Sequence, residues 1–140
     1  MSFNPKLTQW QNKRVWLVGA STGIGEALAR QLDQLGCRQM LSARSADKLA
    51  TLAGELKNAK ALPLDITQQG AVKSAFDHLI HAWGGVDLIV LMAGTYSEMS
   101  VEGFNIDKVC QQIDVNLNGT MYVLGNALPK LLEQKSGHLA

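Results

Sequence analysis

Residues 15–25 read Val15-Trp16-Leu17-Val18-Gly19-Ala20-Ser21-Thr22-Gly23-Ile24-Gly25, an apolar run that passes through a glycine-rich turn into an amphipathic stretch. The apolar run predicts a buried strand, and the glycines predict a tight turn out of it. From about Gly23, residues Ile24, Ala27, Leu28, Leu32 and Leu35 recur at three- and four-residue steps until Gly36 ends the pattern, which predicts a helix with one core-facing side. Strand, glycine turn and helix start together make a place where free amides and the positive helix end can hold a diphosphate. Gly19 permits the tight exit from the strand, while Gly23 and Gly25 let the backbone approach the phosphates and let the helix pack close to the sheet. The plainer alternative is that these glycines only punctuate a strand-to-helix turn.

The same beat continues along the chain. The first strand is about Arg14–Val18, and the second is Gln39–Ala43, followed by a short helix that Ser45 can cap and that carries Leu49, Leu52 and Leu56. The third is Ala59–Leu64, and its Pro63 lacks an amide donor, which suits an edge strand. From Gln68 to Trp83, residues Val72, Ala75, Phe76, Leu79, Ile80 and Trp83 form a core-facing stripe. Val86–Leu91 is nearly all apolar, as in a strand covered on both faces of a parallel sheet. A long helix over 106–133 carries Val109, Ile113, Leu117, Met121, Leu124 and Leu128; Asn118-Gly119 and Pro129 should weaken or bend it. Strands alternating with helices define the α/β class, and right-handed winding gives a doubly wound parallel sheet of order 3-2-1-4. The ligand crevice is then expected at the switch between strands one and four, where the Gly19–Gly25 loop meets the Ala93-Gly94 turn. No repeat, low-complexity tract or linker divides the 140 residues, so residues 1–140 are expected to form one nucleotide-binding domain.

Composition narrows the function. With 46% apolar and 18% charged residues, the chain can bury a core. A formal charge of +1 and the absence of a Lys/Arg block argue against nucleic acid or an anionic membrane as partner. The longest apolar run, Leu88–Ala93, is far short of the roughly 20 residues that span a bilayer, and the polar start Met1–Arg14 has no apolar signal core. A cytoplasmic location is expected. Cys37 and Cys110 show neither metal spacing nor a disulfide pattern, and are read as small packing residues in a reducing compartment. His78 and His81 lie three apart with no third ligand near in sequence, so no metal is expected. Ser21 and Ser97 have no nucleophile-elbow context, which disfavours hydrolysis. Trp10, Trp16 and Trp83 are expected to pack.

The nucleotide is discriminated at the end of the second strand. A fold that takes NAD usually places an Asp or Glu there for the ribose 2′-hydroxyl; here the chain reads Ala43-Arg44. A guanidinium without an acid suits a 2′-phosphate through paired hydrogen bonds and charge, so NADP is favoured over NAD; the alternative for Arg44 is an ordinary solvated side chain. The missing acid also disfavours a methyltransferase, which shares the loop and sheet. Asp65 either accepts a hydrogen bond from the adenine amine or caps the following helix.

These residues resemble the short-chain dehydrogenases and reductases over essentially the whole chain. The pattern GxxxGxG at Gly19, Gly23 and Gly25, with Ser21, Thr22 and Ile24 between and beside the glycines, is similar to that family's dinucleotide loop. Leu64-Asp65-Ile66 looks like its adenine-side motif, and Ala93-Gly94 resembles the end of its NNAG turn. Asp114-Val115-Asn116-Leu117-Asn118-Gly119 matches the segment whose catalytic Asn falls on Asn116, while Ser136-Gly137-His138-Leu139 looks like the turn into a fifth strand.

The resemblance implies a Rossmann-type fold, an NAD(P) cofactor, a small-molecule carbonyl or alcohol substrate, and hydride transfer between the two. It also implies homo-oligomers joined through the long helix. For Asn116 it implies support of a proton-relay water; read from the residues alone, Asn116 is a helix-kinking residue near Gly119.

Two departures stand out: Val18 and Met92 occupy positions where the family carries Thr and Asn. This double loss reads as a coupled exchange of a hydrogen bond for an apolar contact. Thr22 stands where NADP binders often carry a basic residue. The family's Ser, Tyr and Lys catalytic set is also missing, since four residues after Tyr96 and Tyr122 come Ser100 and Asn126. The chain is therefore expected to be a truncated, cofactor-binding half that binds better than it turns over, with its fourth strand short of a finished neighbour and prone to association. The alternative is a non-catalytic NADP-binding module or an inactive truncated product.

Overall fold

The computed structural model describes residues 7–140. Strands β1 (Arg14–Val18), β2 (Arg38–Ser42), β3 (Ala59–Ala61), β4 (Leu88–Leu91) and β5 (His138–Leu139) alternate with helices α1 (Gly23–Gln34), α2 (Ala46–Glu55), α3 (Gln69–Trp83), α4 (Ile106–Ile113) and α5 (Gly119–Gln134). The strands form one sheet in the order β3-β2-β1-β4-β5, and each adjacent pair is parallel. This is the expected doubly wound Rossmann-type architecture.

Alternation along the strands divides the core. Trp16, Val18, Met40 and Ile89 face α3 and α5, where they meet Phe76, Leu79 and Val123. Val15, Leu17, Leu41 and Val90 face α1 and α2, where they meet Ala29, Leu32 and Leu49. The central β1 is buried on both faces, with Val15, Trp16 and Leu17 fully inaccessible, so its near-continuous apolar composition follows from its position. Trp16 resolves its own polarity by donating from Nε1 to Ser42 Oγ at 2.9 Å. Trp10 and Trp83 pack at the margins of the two cores, as expected. The part of the polar start at residues 1–6 lies outside the described residues.

Several boundaries differ from the sequence reading. β2 begins at Arg38 and ends at Ser42, one residue earlier than expected. β3 ends as a regular strand at Ala61, yet Leu62 and Leu64 still donate to Leu41 and Ala43 of the neighbouring chain segment at 2.8 and 2.9 Å. Pro63 lies between these two donors, where an amide would face the open edge, so the missing N–H costs no ladder bond. β4 starts at Leu88 because the backbone of Val86 is taken by Gln134 instead: Oε1 accepts from the Val86 amide at 3.1 Å, and Nε2 donates to the Val86 carbonyl at 3.0 Å.

The long helix is not uniform. Between α4 and α5, Asp114–Asn118 form a π-helical turn that ends at the expected Asn118-Gly119 site, whereas α5 runs through Pro129 to Gln134. Its buried residues are Gly119, Val123 and Ala127, together with Val115 of the π turn. Ile113, Leu117, Met121 and Leu128, the larger residues of the expected stripe, are 44–53% exposed. A face of small residues lets the helix approach the sheet more closely than a face of Leu and Ile would. The same logic rotates α1: its buried residues are Gly25, Ala29 and Leu32, while Ile24 stays 76% exposed.

The fourth strand has its neighbour. β5 pairs with β4 in the register Leu88↔His138 and Ile89↔Leu139, and backbone bonds from His138 to Asp87 and from Ala140 to Ile89, both 3.0 Å, seal that edge. The expectation that β4 lacks a finished neighbour is corrected accordingly. At the opposite end of the strands, Arg14 grips Asp87 with Nε and Nη2 at 2.9 and 2.8 Å and donates from Nη1 to the Trp83 carbonyl at 3.1 Å. Among the described residues, no helix is long and apolar enough to cross a membrane.

Candidate functional site

β1 leads straight into the site. Past Val18 the chain turns sharply, and the amides of Gly19 and Ala20 both donate to the Ser42 carbonyl, at 2.7 and 3.1 Å. Gly19 has φ +98°, and a Cβ there would collide with the backbone nitrogen of Ala93; only glycine lets the loop lie against the exit of β4. A Cβ on Gly25 would collide with the Gly19 carbonyl oxygen, so this residue sets how closely α1 packs on the loop. Gly23 differs, since nothing lies within 4 Å of the place its Cβ would take, and positive φ alone, +58°, favours glycine there.

These approaches leave a crevice of about 400 Å³ at the carboxyl ends of β1, β2 and β4. Gly19, Ser21, Thr22, Ile24 and Gly25 line it from the loop and α1, Arg44 lines it from the end of β2, Asp65 and Ile66 from beyond β3, and Ala93 and Gly94 from beyond β4. Ten of the sequence-derived site residues thus meet in one place; Gly23 and Asn116 are not among its lining. The sequence reading did not assign Ala43, Ser45, Leu64 or Val115 to the site, and these complete its wall. Leu64 was legible as a neighbour of Asp65, whereas Val115 lines the crevice from the π turn, about 50 residues further along the chain.

Polar groups at the crevice are set up for a ligand. Thr22 is the N-cap of α1 but makes no side-chain cap bond, which leaves the first helical amides without a capping partner. Ser45 is the N-cap of α2, yet its hydroxyl makes no cap bond either, contrary to the expected capping role. Arg44 is exposed and has no hydrogen-bond or ion-pair partner among the described residues. Asp65 is more committed: Oδ1 accepts from the Thr67 amide at 3.0 Å and the Thr67 hydroxyl at 2.8 Å. This two-residue turn orders the approach to α3, whose N-cap is Gln68. Unengaged helix amides, a free guanidinium and an apolar floor fit a dinucleotide with a phosphorylated or hydroxyl-bearing ribose.

Asn116 stands behind the crevice. From the π turn its carboxamide accepts from the Thr95 amide and donates to the Thr95 carbonyl, both at 2.8 Å, as a neighbouring strand would. Gln112, one helical turn earlier, accepts from the Ser97 amide at 3.3 Å. Val18 and Met92 both border the crevice, but they belong to the cores on opposite faces of the sheet. The Met92 amide donates to the Val18 carbonyl at 2.7 Å, so a backbone bond joins these strand ends rather than the expected side-chain contact. Cys110 is exposed and lines a hollow of about 280 Å³ that shares Arg44 and Asp65 with the crevice, so its reading as a packing residue is corrected; Cys37 is buried. Among the described residues, no cluster of three or more His, Cys, Asp or Glu could hold a metal.

Comparison with known proteins places this geometry. The model of the short chain dehydrogenase family matches residues 13–140, and the chain belongs to that family, whose members generally bind NAD(P). An uncharacterized oxidoreductase of Staphylococcus aureus strain MRSA252 is 35% identical over 135 residues, covering 95% of this chain and 58% of the relative. One from Staphylococcus epidermidis is 36% identical over 124 residues, covering 88% and 54%. The chain therefore spans little more than half the length of these relatives. Among solved structures, gox2181 is 25% identical, with a TM-score of 0.87, over 92% of this chain and 52% of that one. A short-chain dehydrogenase from Streptomyces avermitilis, 24% identical with a TM-score of 0.86 over 92% and 48%, shares the fold.

Proposed function

We propose that this chain is the NADP-binding portion of an oxidoreductase that moves a hydride between nicotinamide and a small carbonyl or alcohol substrate. The observation that carries the reading is Arg44: an unpaired guanidinium on the wall of the crevice, directly after β2, with Ala43 where an NAD-selective site would hold an acid.

In this reading, Gly19 and the first amides of α1 hold the diphosphate, and Ser21 and Thr22 border it. Ile24, exposed by the rotation of α1, shields the loop from water. Arg44, with the free hydroxyl of Ser45, holds the 2′-phosphate through charge-assisted bonds. Asp65, Ile66 and Val115 form the adenine side, and Ala93 and Gly94 pass beneath the ribose. The bound cofactor supplies hydride chemistry at its nicotinamide ring. Asn116 acts as a positioning residue, holding Thr95 and with it the end of the Ala93-Gly94 turn. Neither Tyr96 nor Tyr122 is followed by Lys four residues on, so the proton step is assigned to groups outside these 140 residues.

The proposal includes a cytoplasmic setting, in which Cys37 and Cys110 stay reduced, and pairing of two chains through the exposed stripe of Ile113, Leu117, Met121 and Leu128. Leu117→Glu should then leave only monomers in sedimentation velocity.

Calorimetry tests the cofactor assignment. Arg44→Ala should weaken NADPH binding roughly tenfold or more, the loss of a bidentate charged contact, with NADH binding unchanged. Equal loss for both, or none for either, removes the assignment.

A further inference from the structure

We infer that Lys48 is a second specificity-determining residue for the 2′-phosphate, acting with Arg44 from the other side of Ser21-Thr22; this rests on the NADP reading above. Two hollows meet at that dipeptide. The crevice is lined by Ser21, Thr22, Arg44 and Ser45, and a groove of about 350 Å³ between α1 and α2 is lined by Ser21, Thr22 and Lys48. The two cations therefore flank one stretch of backbone.

Lys48 itself lines the groove and not the crevice, but helix geometry sets it within reach of the crevice wall. Lys48 follows the N-cap Ser45 by three residues, so both lie on one face of the first turn. Helical side chains lean toward the helix N-terminus, so the flexible Lys48 stem can swing its ammonium to the Ser45 side when a phosphate is bound. Asp47, also in the groove, is one residue earlier and so about 100° round the helix.

Charge pairing leaves this lysine free. Arg30, the other cation of the groove, is bound to Glu26 at 2.9 Å and to Glu55 at 2.6 Å. Those ion pairs occupy the carboxylates of the groove other than Asp47. Lys48 is exposed and has no ion-pair partner among the described residues. A phosphate monoester carries about 1.5 to 2 negative charges near pH 7, so one guanidinium leaves it under-neutralised. A mobile ammonium supplies the balance as a point charge, complementing the planar fork of Arg44. The 2′-hydroxyl of NAD is neutral and gains nothing from it.

The test is calorimetry on the 140-residue chain with 2′,5′-ADP and 5′-AMP as probes. Lys48→Ala should weaken 2′,5′-ADP binding about five- to twentyfold while leaving 5′-AMP within about twofold, as expected for one added charge-assisted contact. Lys48→Arg should retain most of the affinity. The gap between wild type and Lys48→Ala should narrow in about 0.5 M NaCl, where exposed charges are screened. An unchanged thermal midpoint confirms that the exposed substitution left the fold alone. Unaltered 2′,5′-ADP affinity in Lys48→Ala, or equal weakening of both probes, overturns the role of Lys48 while leaving that of Arg44. A wild-type chain that prefers neither probe overturns the NADP reading itself.

Discussion

The carboxamide of Asn116 is bonded to both backbone groups of Thr95, 21 residues earlier in the chain, at 2.8 Å each. Asn116 thus extends the hydrogen-bonding of the sheet past the end of β4 with a side chain. Asn116→Ala removes both bonds and should cost about 1–2 kcal/mol, read as a lower urea midpoint at constant slope. NADPH binding should also weaken, because the Ala93-Gly94 turn loses its tether. Asn116→Asp keeps the acceptor but turns a carboxylate oxygen on the Thr95 carbonyl, so it should cost at least as much at pH 7 as the alanine change. An alanine variant as stable as wild type would mean that the clamp holds nothing.

Gly119 and Gly125 occupy the same helix with opposite surroundings. A Cβ on Gly119 would lie 2.8 Å from both Cγ atoms of Ile66, whereas nothing lies within 4 Å of one on Gly125. Gly119→Ala should therefore destabilise by about 1–3 kcal/mol through overpacking; Ile66→Ala alone leaves a cavity, and the double change should cost less than the sum of the two. Gly125→Ala should stabilise by about 0.5–1 kcal/mol through helix propensity. Thermal unfolding of the four variants checks the contrast.

Acid should release the Arg14–Asp87 pair. The hydrogen bonds from Arg14, together with its charge, hold the Asp87 carboxyl below its ordinary range against the opposing effect of burial. A depressed folded value means that the stability from this pair is complete above the unfolded value of about 3.9 and is lost as pH falls through the folded one. Asp87→Asn should lower stability at pH 7 by about 2 kcal/mol, as for a hydrogen bond to a charged group, and flatten its dependence on pH below about 4. Urea titrations at stepped pH would show parallel curves for the two proteins if the pair contributed nothing.

The two cysteines should react at different stages of unfolding. Burial and the nearby Asp33 push the Cys37 thiol up from its ordinary value, and its Sγ donates to the Trp10 carbonyl at 3.3 Å; Cys110 is exposed beside the crevice. A thiol reagent should label Cys110 in the native protein and Cys37 only after denaturation. NADPH should slow labelling of Cys110 if the cofactor lies against the shared wall. Prompt native labelling of Cys37 would contradict the packing of the segment before β1.

Local pattern made much of the fold legible. β1 and its glycine turn, the four-residue steps of α3 and the edge position signalled by Pro63 all follow from side-chain period and backbone chemistry that neighbouring residues share. The face a helix buries was less legible. In the π turn and α5 the large residues Leu117, Met121 and Leu128 dominate any hydrophobic pattern, yet Gly119, Val123 and Ala127 are buried, because close packing on α3 and Ile66 outweighs the area of each side chain. In α1 the same effect leaves Ile24 at the crevice mouth.

What the sequence determined by itself is the order of strands and helices and the identity of the loop at Gly19, since these rest on periodicity and on φ angles that glycine alone adopts at low cost. What only the tertiary structure decided is which distant groups meet: Asn116 with Thr95, Gln134 with Val86, β5 with β4, and Arg44 and Lys48 on either side of Ser21-Thr22. Such pairings depend on strand register and on helix approach distances of a few ångströms, and these are properties of the packed chain as a whole.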